Sequence, residues 1–325
     1  MTAKPPEKIL VIKLGALGDF FQALGPMKAI RAHHPQAHIT LLTTKLFENF
    51  ARKSGYFDEI VLDKKPKWHQ PKEWLALKSK LNNAHYTRVY DLQNNDRTSF
   101  YFRLFKPKPE WVGVAKGASH RNNSPERTAG QAIEGHRQTL QLAGIDNVEI
   151  DTLEWVQGDI GRFELQKPYI VFAAGSAPER PEKRWPAEHY GQIAMALQKK
   201  GYNIVLIGTI AEARVNQIIK TLCPGILDLT ARTSLADIIC LARGAVAAIG
   251  NDTGPMHIMG PTACPCLVLF SRHSNARRHA PIGDNVQVLE TGDMEDLDID
   301  RVLQEILQIL PDEKAVSYSE SGTPG

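Results

Sequence analysis

The sequence predicts an α/β protein of two domains, each a parallel sheet wound with helices. Three observations carry that prediction. Short apolar runs alternate with helical stretches, the pattern of βαβ units. The alternation comes in two series, before and after an irregular polar segment at 151–166. And 325 residues exceed what one typical hydrophobic core supports. The expected limits are 1–157 and 158–325.

Taken in order, residues 8–13 (K-I-L-V-I-K) form a buried strand, 14–19 (L-G-A-L-G-D) a turn, and 20–34 a helix kinked at Pro26. Strands follow at 38–44 and 59–62, with a short helix over 46–54. Residues 64–74 (K-K-P-K-W-H-Q-P-K-E-W) are basic, proline-broken and carry two tryptophans, which predicts an exposed loop. Residues 87–92 are a strand, and 97–111 again interleave basic and aromatic residues. The polar stretch 117–128 has no periodicity and reads as a mobile loop, and 130–143 as a helix ending at Gly144. The second series has strands at 168–174, 203–207, 226–229, 245–249, 267–270 and 286–289. Helices fall at 187–200, after Glu212, at 234–243, after Asp252 and at 300–310. The Ser/Gly/Pro-rich tail from 312 reads as disordered.

Composition excludes several classes. Hydrophobic content of 42% and charged content of 23% are those of a soluble globular protein. No apolar run approaches the roughly 20 residues of a membrane span. The N-terminus carries no signal-peptide core, so a cytoplasmic location is expected. The four cysteines lack zinc-like pairing, and Cys264-Pro-Cys266 reads as two small apolar residues beside a buried strand. The net charge of +3 hides a split. Residues 1–150 hold 23 Lys and Arg against 14 Asp and Glu, a balance of +9; residues 151–325 hold 16 against 22, a balance of −6. A basic half points to an anionic partner. No nucleic-acid-binding motif accompanies it.

Candidate site residues lie where strands feed helices, the edge at which open α/β sheets bind ligands. In the stretch G-N-D-T-G-P-M-H, Asp252 and Thr253 can cap a helix and Pro255 suits its first turn. Gly254 admits a ligand close to the backbone, and His257 is one turn on. Unpaired N–H groups there favour an anion. An ordinary capped helix with a core histidine fits the same residues. Ser176, Lys183 and Arg184 make a second anion-friendly loop. Glu212 stands within reach of a ribose diol, and equally reads as a first-turn glutamate favoured by the dipole. Asp19 ends the first strand–helix turn, where a plain helix cap is an alternative role. Lys64 and Lys67, in the tryptophan-bearing loop, are candidate contacts for an anionic amphiphile at a membrane surface, a solvated loop being the alternative, and Lys13 on the first strand is a further candidate contact for an anionic partner. A dinucleotide fingerprint is missing: the chain offers Gly15-x-x-Gly18 only, with no acid after the second strand, and it has no P-loop.

Four signals appear in order: I-K-L-G-A-L-G-D, then G-S…K-R-W-P, then I-G…E, then D-T-G-x-x-H. Together they resemble glycosyltransferase family nine, the lipopolysaccharide heptosyltransferases, over roughly residues 8–310. The resemblance implies a GT-B fold of two Rossmann-like domains facing across a cleft, the first for the acceptor and the second for the nucleotide-sugar. It implies inverting transfer of heptose from ADP-heptose to inner-core lipopolysaccharide, a lipid-linked anionic saccharide, at the inner face of the inner membrane. It casts Asp19 as general base, Lys183 and Ser176 on the diphosphate, and Glu212 on the ribose. Asp252, Thr253, Gly254 and His257 would line the pyrophosphate and sugar. No cofactor and no metal are expected. Two departures stand out: Gly15 and Ala16 replace hydroxyl residues of some members, and the 176–183 loop is long, with Pro178 and Pro181. The competing readings are an epimerase-like nucleotide-sugar enzyme and a non-catalytic nucleotide-sugar-binding protein. Asp19 together with Lys183 favours catalysis.

Overall fold

The structure, a computed structural model, describes residues 7–177 and 179–311; the tail from 312 and Pro178 lie outside them. The chain divides into two compact units, Met1–Asp151 and Thr152–Gly325. The break falls six residues before the expected 157/158 boundary. Arg243 explains the difference: its guanidinium donates to the carbonyls of Leu153 and, at 2.7 Å, Val156, tying that segment to the second unit.

The first unit carries strands β1 (Lys8–Ile12), β2 (His38–Thr43), β3 (Glu59–Leu62), β4 (Arg88–Asp91), β5 (Glu110–Gly113) and β6 (His120–Arg121). They form one parallel sheet in the order β3-β2-β1-β4-β5-β6. β1 and β4 are central and almost wholly buried, as continuous apolar runs in a two-faced sheet require. The expected kinked helix is two helices, Leu17–Gln22 and Leu24–His33. Pro26 has no N–H to give the Gln22 carbonyl, so the helix breaks at Ala23, ahead of the proline. Residues 117–128, expected to be a loop, include the edge strand β6 and a 3-10 turn at Pro125–Thr128. The 64–74 loop is shorter than expected, because a helix starts at Pro71 and runs to Asn83, taking Trp74 with it. Trp111 lies on β5, fully buried against Phe102 and Phe105 at ring-centroid distances of 5.1 and 5.9 Å, so it belongs to the core and not to an amphiphile-binding surface.

The second unit repeats the plan with β7 (Tyr169–Ala173), β8 (Asn203–Leu206), β9 (Leu227–Asp228), β10 (Ala247–Asn251), β11 (Cys266–Phe270) and β12 (Val286–Glu290), ordered β12-β11-β10-β7-β8-β9 and all parallel. β10 runs past the expected end at 249, through Gly250 and Asn251. A side chain at Gly250 would meet the Ala173 carbonyl at 2.7 Å and Met256 Sδ at 2.8 Å, so glycine is what lets β10 lie this close to β7 and to the helix Gly254–Met259. Trp185 and Tyr190 are buried on this sheet, with the Trp185 indole N–H donating to the Leu297 carbonyl at 3.0 Å. Cys264 and Cys266 are buried at the start of β11, as expected.

Candidate active site

In a parallel sheet every strand delivers its carboxyl end to one edge. At that edge of the second unit, the loops after three adjacent strands converge: β7 sends out Lys183, β10 sends out Asp252, and β11 sends out Ser274. The Lys183 ammonium donates to Asp252 Oδ2 at 2.6 Å and to the Ser274 hydroxyl at 3.1 Å. The Ser274 hydroxyl donates to the same carboxylate oxygen at 2.5 Å. His257 Nε2 lies 3.9 Å from the other oxygen, Oδ1. Burial pushes the Asp252 carboxyl up, but His257, Lys183 and Ser274 together hold it well below the usual carboxylate range. The carboxylate is therefore charged at any physiological pH, and it keeps a lysine ammonium pinned at the sheet edge. Thr253 is the helix N-cap by backbone geometry, yet its hydroxyl caps nothing.

Two expected contacts have other work. Ser176 is buried; its hydroxyl donates to the Arg180 carbonyl and accepts from the Arg184 guanidinium, both at 2.9 Å. Through these bonds Ser176 holds the shape of the loop that carries Lys183. Glu212 Oε2 accepts from the Thr209 N–H and hydroxyl, each at 2.7 Å, in a capping box. The first-turn alternative thus applies to that oxygen. The Glu212 side chain lies against Gly175, where an added Cβ would sit 2.2 Å from Glu212 Cγ.

Sequence reasoning missed Ser274 and Asn251. Asn251, fully buried, uses its whole amide. Its Nδ2 donates to the Ala174 and Gly175 carbonyls at 2.8 and 3.1 Å; its Oδ1 accepts from the Trp185 N–H and the Tyr190 hydroxyl at 3.1 and 3.0 Å. One side chain so joins the end of β10 to both ends of the Lys183 loop. Its place beside the D-T-G signal was the only cue available.

The corresponding edge of the first unit carries Asp19 after β1, Asp91 at the end of β4, and the 63–70 turn after β3. Asp19 is the third residue of the helix Leu17–Gln22; its Oδ2 accepts from the Ala16 N–H at 3.2 Å, and the side chain is exposed. Lys13 is buried, its ammonium donating to the Leu92 carbonyl at 3.0 Å. Burial lowers its pKa against the opposing charges of Asp19 and Asp91. It lies inside the unit, unlike the exposed Lys64 and Lys67. Asp91 is pushed up to about 6 by burial, despite N–H donors from Asn94 and Gln93 and the charge of Lys13. Lys64 and Lys67 are exposed, with Lys64 Nζ 3.7 Å from Glu73 Oε2. Among the described residues, no group of three or more His, Cys, Asp or Glu is placed to hold a metal ion.

A two-unit α/β chain with a lysine, a carboxylate and a histidine gathered at one sheet edge has the makings of a nucleotide-sugar enzyme. The family model of glycosyltransferase family 9 (heptosyltransferase) matches residues 74–306, and the chain belongs to that family and is a glycosyltransferase of the GT-B fold. It is 23% identical over 299 residues to the lipopolysaccharide core heptosyltransferase OpsX of Haemophilus influenzae, covering 86% of this chain and 84% of that one. It is 25% identical over 296 residues to lipopolysaccharide heptosyltransferase 2 of Escherichia coli, covering 82% and 83%. Among solved structures, the E. coli ADP-heptose lipopolysaccharide heptosyltransferase II superposes with a TM-score of 0.75 at 21% identity, covering 94% of this chain and 99% of that chain.

Proposed function

We propose that this glycosyltransferase moves a heptose from ADP-heptose to a hydroxyl of inner-core lipopolysaccharide, with inversion at the anomeric carbon. The observation that carries this reading is the Lys183–Asp252–Ser274–His257 cluster, a preorganised cation on a rigid sheet edge. Glycosyl transfer from a nucleoside diphosphate leaves negative charge on the departing phosphate, and a fixed ammonium stabilises it where it develops. Lys183 takes that role, with Thr253, Gly254 and His257 lining the pyrophosphate and sugar. Asp252 keeps Lys183 aimed. Glu212, through the carboxylate oxygen that its capping box leaves over, meets the ribose.

An inverting displacement also needs a carboxylate to take the proton of the attacking hydroxyl. Asp19 is exposed, sits at the carboxyl edge of the first sheet, and commits one oxygen to the Ala16 N–H. Its other oxygen serves as the base. The acceptor is lipid-linked and anionic, so Lys64 and Lys67 contact its charged groups while the enzyme works from the cytoplasm against a membrane face. Among the described residues no helix is long and apolar enough to cross a membrane, and a surface-bound mode of working needs none.

Asp19→Asn tests the base. The amide oxygen can still accept from the Ala16 N–H, so folding and ADP affinity stay at wild-type values. Turnover of ADP-heptose with acceptor falls by about 10²–10⁴-fold, the usual worth of a general base. Near-wild-type turnover would end the assignment.

A further inference from the structure

The most exposed large apolar side chain among the described residues is Trp68, at 89%. It stands on a turn that is held firmly. The Gln70 side chain accepts from the Lys67 N–H at 2.7 Å, and the Lys67 carbonyl accepts from the Gln70 N–H and the Trp74 indole at 3.0 Å each. Arg97 donates to the Pro66 carbonyl at 3.2 Å and stacks over Trp74. Asp63 accepts from the Lys65 N–H at 2.7 Å. An indole projected into water from a pinned turn contributes little to the fold, because folding removes little of its surface from solvent. Four exposed lysines surround it in sequence: Lys64, Lys65, Lys67 and Lys72, against the single exposed-side acid Glu73. Phe100, 43% exposed, packs edge-on against Trp74 at 5.2 Å, and Leu75, 65% exposed, lies on the helix that the turn leads into. The turn follows β3, so it shares the carboxyl edge of the sheet with Asp19.

We infer that the 64–70 turn and the start of the following helix form a docking surface for an anionic phospholipid bilayer, with Trp68 seated among the headgroups and Lys65 and Lys72 on their phosphates. Tryptophan favours the bilayer interface, because its ring is apolar and its N–H polar. Each lysine near an anionic surface adds attraction that fades within a Debye length. An exposed indole flanked by exposed lysines on a pinned turn has the chemistry of a bilayer interface, apolar ring among headgroups and ammonium groups on phosphate. The inference rests on the lipid-borne acceptor of the proposed function only for the meaning of the contact; binding to vesicles needs neither donor nor acceptor.

The experiment uses the whole protein with vesicles of phosphatidylglycerol and phosphatidylethanolamine that contain no acceptor, followed by co-sedimentation. Wild type binds these vesicles, binds phosphatidylcholine vesicles weakly, and releases as salt rises. Trp68→Ala weakens binding several-fold, and Lys65→Asn with Lys72→Gln weakens it by about fivefold per lysine removed. In a second arm, Trp68→Ala lowers turnover on acceptor embedded in vesicles and leaves turnover on a deacylated, soluble acceptor unchanged. Wild-type vesicle binding by Trp68→Ala, or no binding by wild type, overturns the inference. Equal loss on embedded and soluble acceptor also overturns it, since Trp68 would then touch the saccharide itself. Failure of transfer altogether, with vesicle binding intact, would instead count against the proposed reaction.

Discussion

Removing the Lys183 ammonium tests whether the charged pair at the second sheet edge exists for the fold or for the ligand. In Lys183→Met the stem stays and the charge goes. Lys183 and Asp252 side chains are 16% and 8% exposed, so the Asp252 carboxylate is stranded in a poorly solvated position. Breaking a buried ion pair by deleting one partner costs about 3–5 kcal/mol. Here Ser274 still donates to the carboxylate, which places the loss at the lower end, about 3 kcal/mol. For a unit of this size that lowers the melting temperature by roughly 6–12 °C. Asp252→Asn in the same background removes the stranded charge and returns about 2 kcal/mol of the stability. ADP affinity follows a different course. A lysine–phosphate hydrogen bond is worth about 1.5–3 kcal/mol, so Kd rises roughly 10- to 100-fold in Lys183→Met and stays raised in the double variant. Calorimetric titration of ADP and thermal melts of wild type, both single variants and the double variant separate the two readings. If the double variant binds ADP like wild type, the pair is structural and Lys183 is not the phosphate contact. The pair also carries a pH signature. The carboxyl of Asp252 is depressed in the folded state, so its contribution is present above the ordinary carboxylate range and is lost only as pH falls towards its lowered value.

Two further outcomes follow from buried polar groups. Asp91 is raised from 3.8 to about 6 by burial, so the folded chain holds that proton more tightly than the unfolded chain does. Stability therefore falls as pH rises from about 4 to 6, by about 3 kcal/mol for a shift of this size. Asp91→Asn keeps an oxygen for the Gln93 and Asn94 N–H groups and flattens that slope, which urea unfolding at pH 4.5 and 6.5 reads directly; an unchanged slope would show that Asp91 does not titrate there. Asn251→Leu strands two carbonyls, an N–H and a hydroxyl, and costs on the order of 4 kcal/mol by urea unfolding, with weaker ADP binding because the Lys183 loop loses its tie to β10. A loss under about 1 kcal/mol would mean that water replaces the amide at little cost.

What was legible in the sequence follows from how parallel sheets make sites. Strands announce themselves as apolar runs, and the residues just past each run must lie on one edge, so Asp19, Lys183 and Asp252 were placed by counting along the chain. Which way a side chain turns there is decided by partners that have no sequence signature. Ser274 reaches Asp252 across 22 residues and Asn251 reaches Ala174 across 77, and neither contact follows a spacing rule. Ser176 sits in the expected loop, but Arg184 and the Arg180 carbonyl claim its hydroxyl. Lys13 and Trp111 show the same limit from the other side. Trp111 closes a stretch of interleaved basic and aromatic residues that looks like a binding surface in one dimension, Lys13 puts a charge at the end of an apolar run, and burial takes both inside. Trp68 escapes because it lies past the end of β3, outside the pleat, where nothing in its own unit covers it. Charge and aromatic content in a strand therefore say little about a surface, whereas the same residues in a turn held by its own backbone say a great deal. That distinction separates the lysines of 64–67, which face solvent, from Lys13, which is buried within the charge field of Asp19 and Asp91.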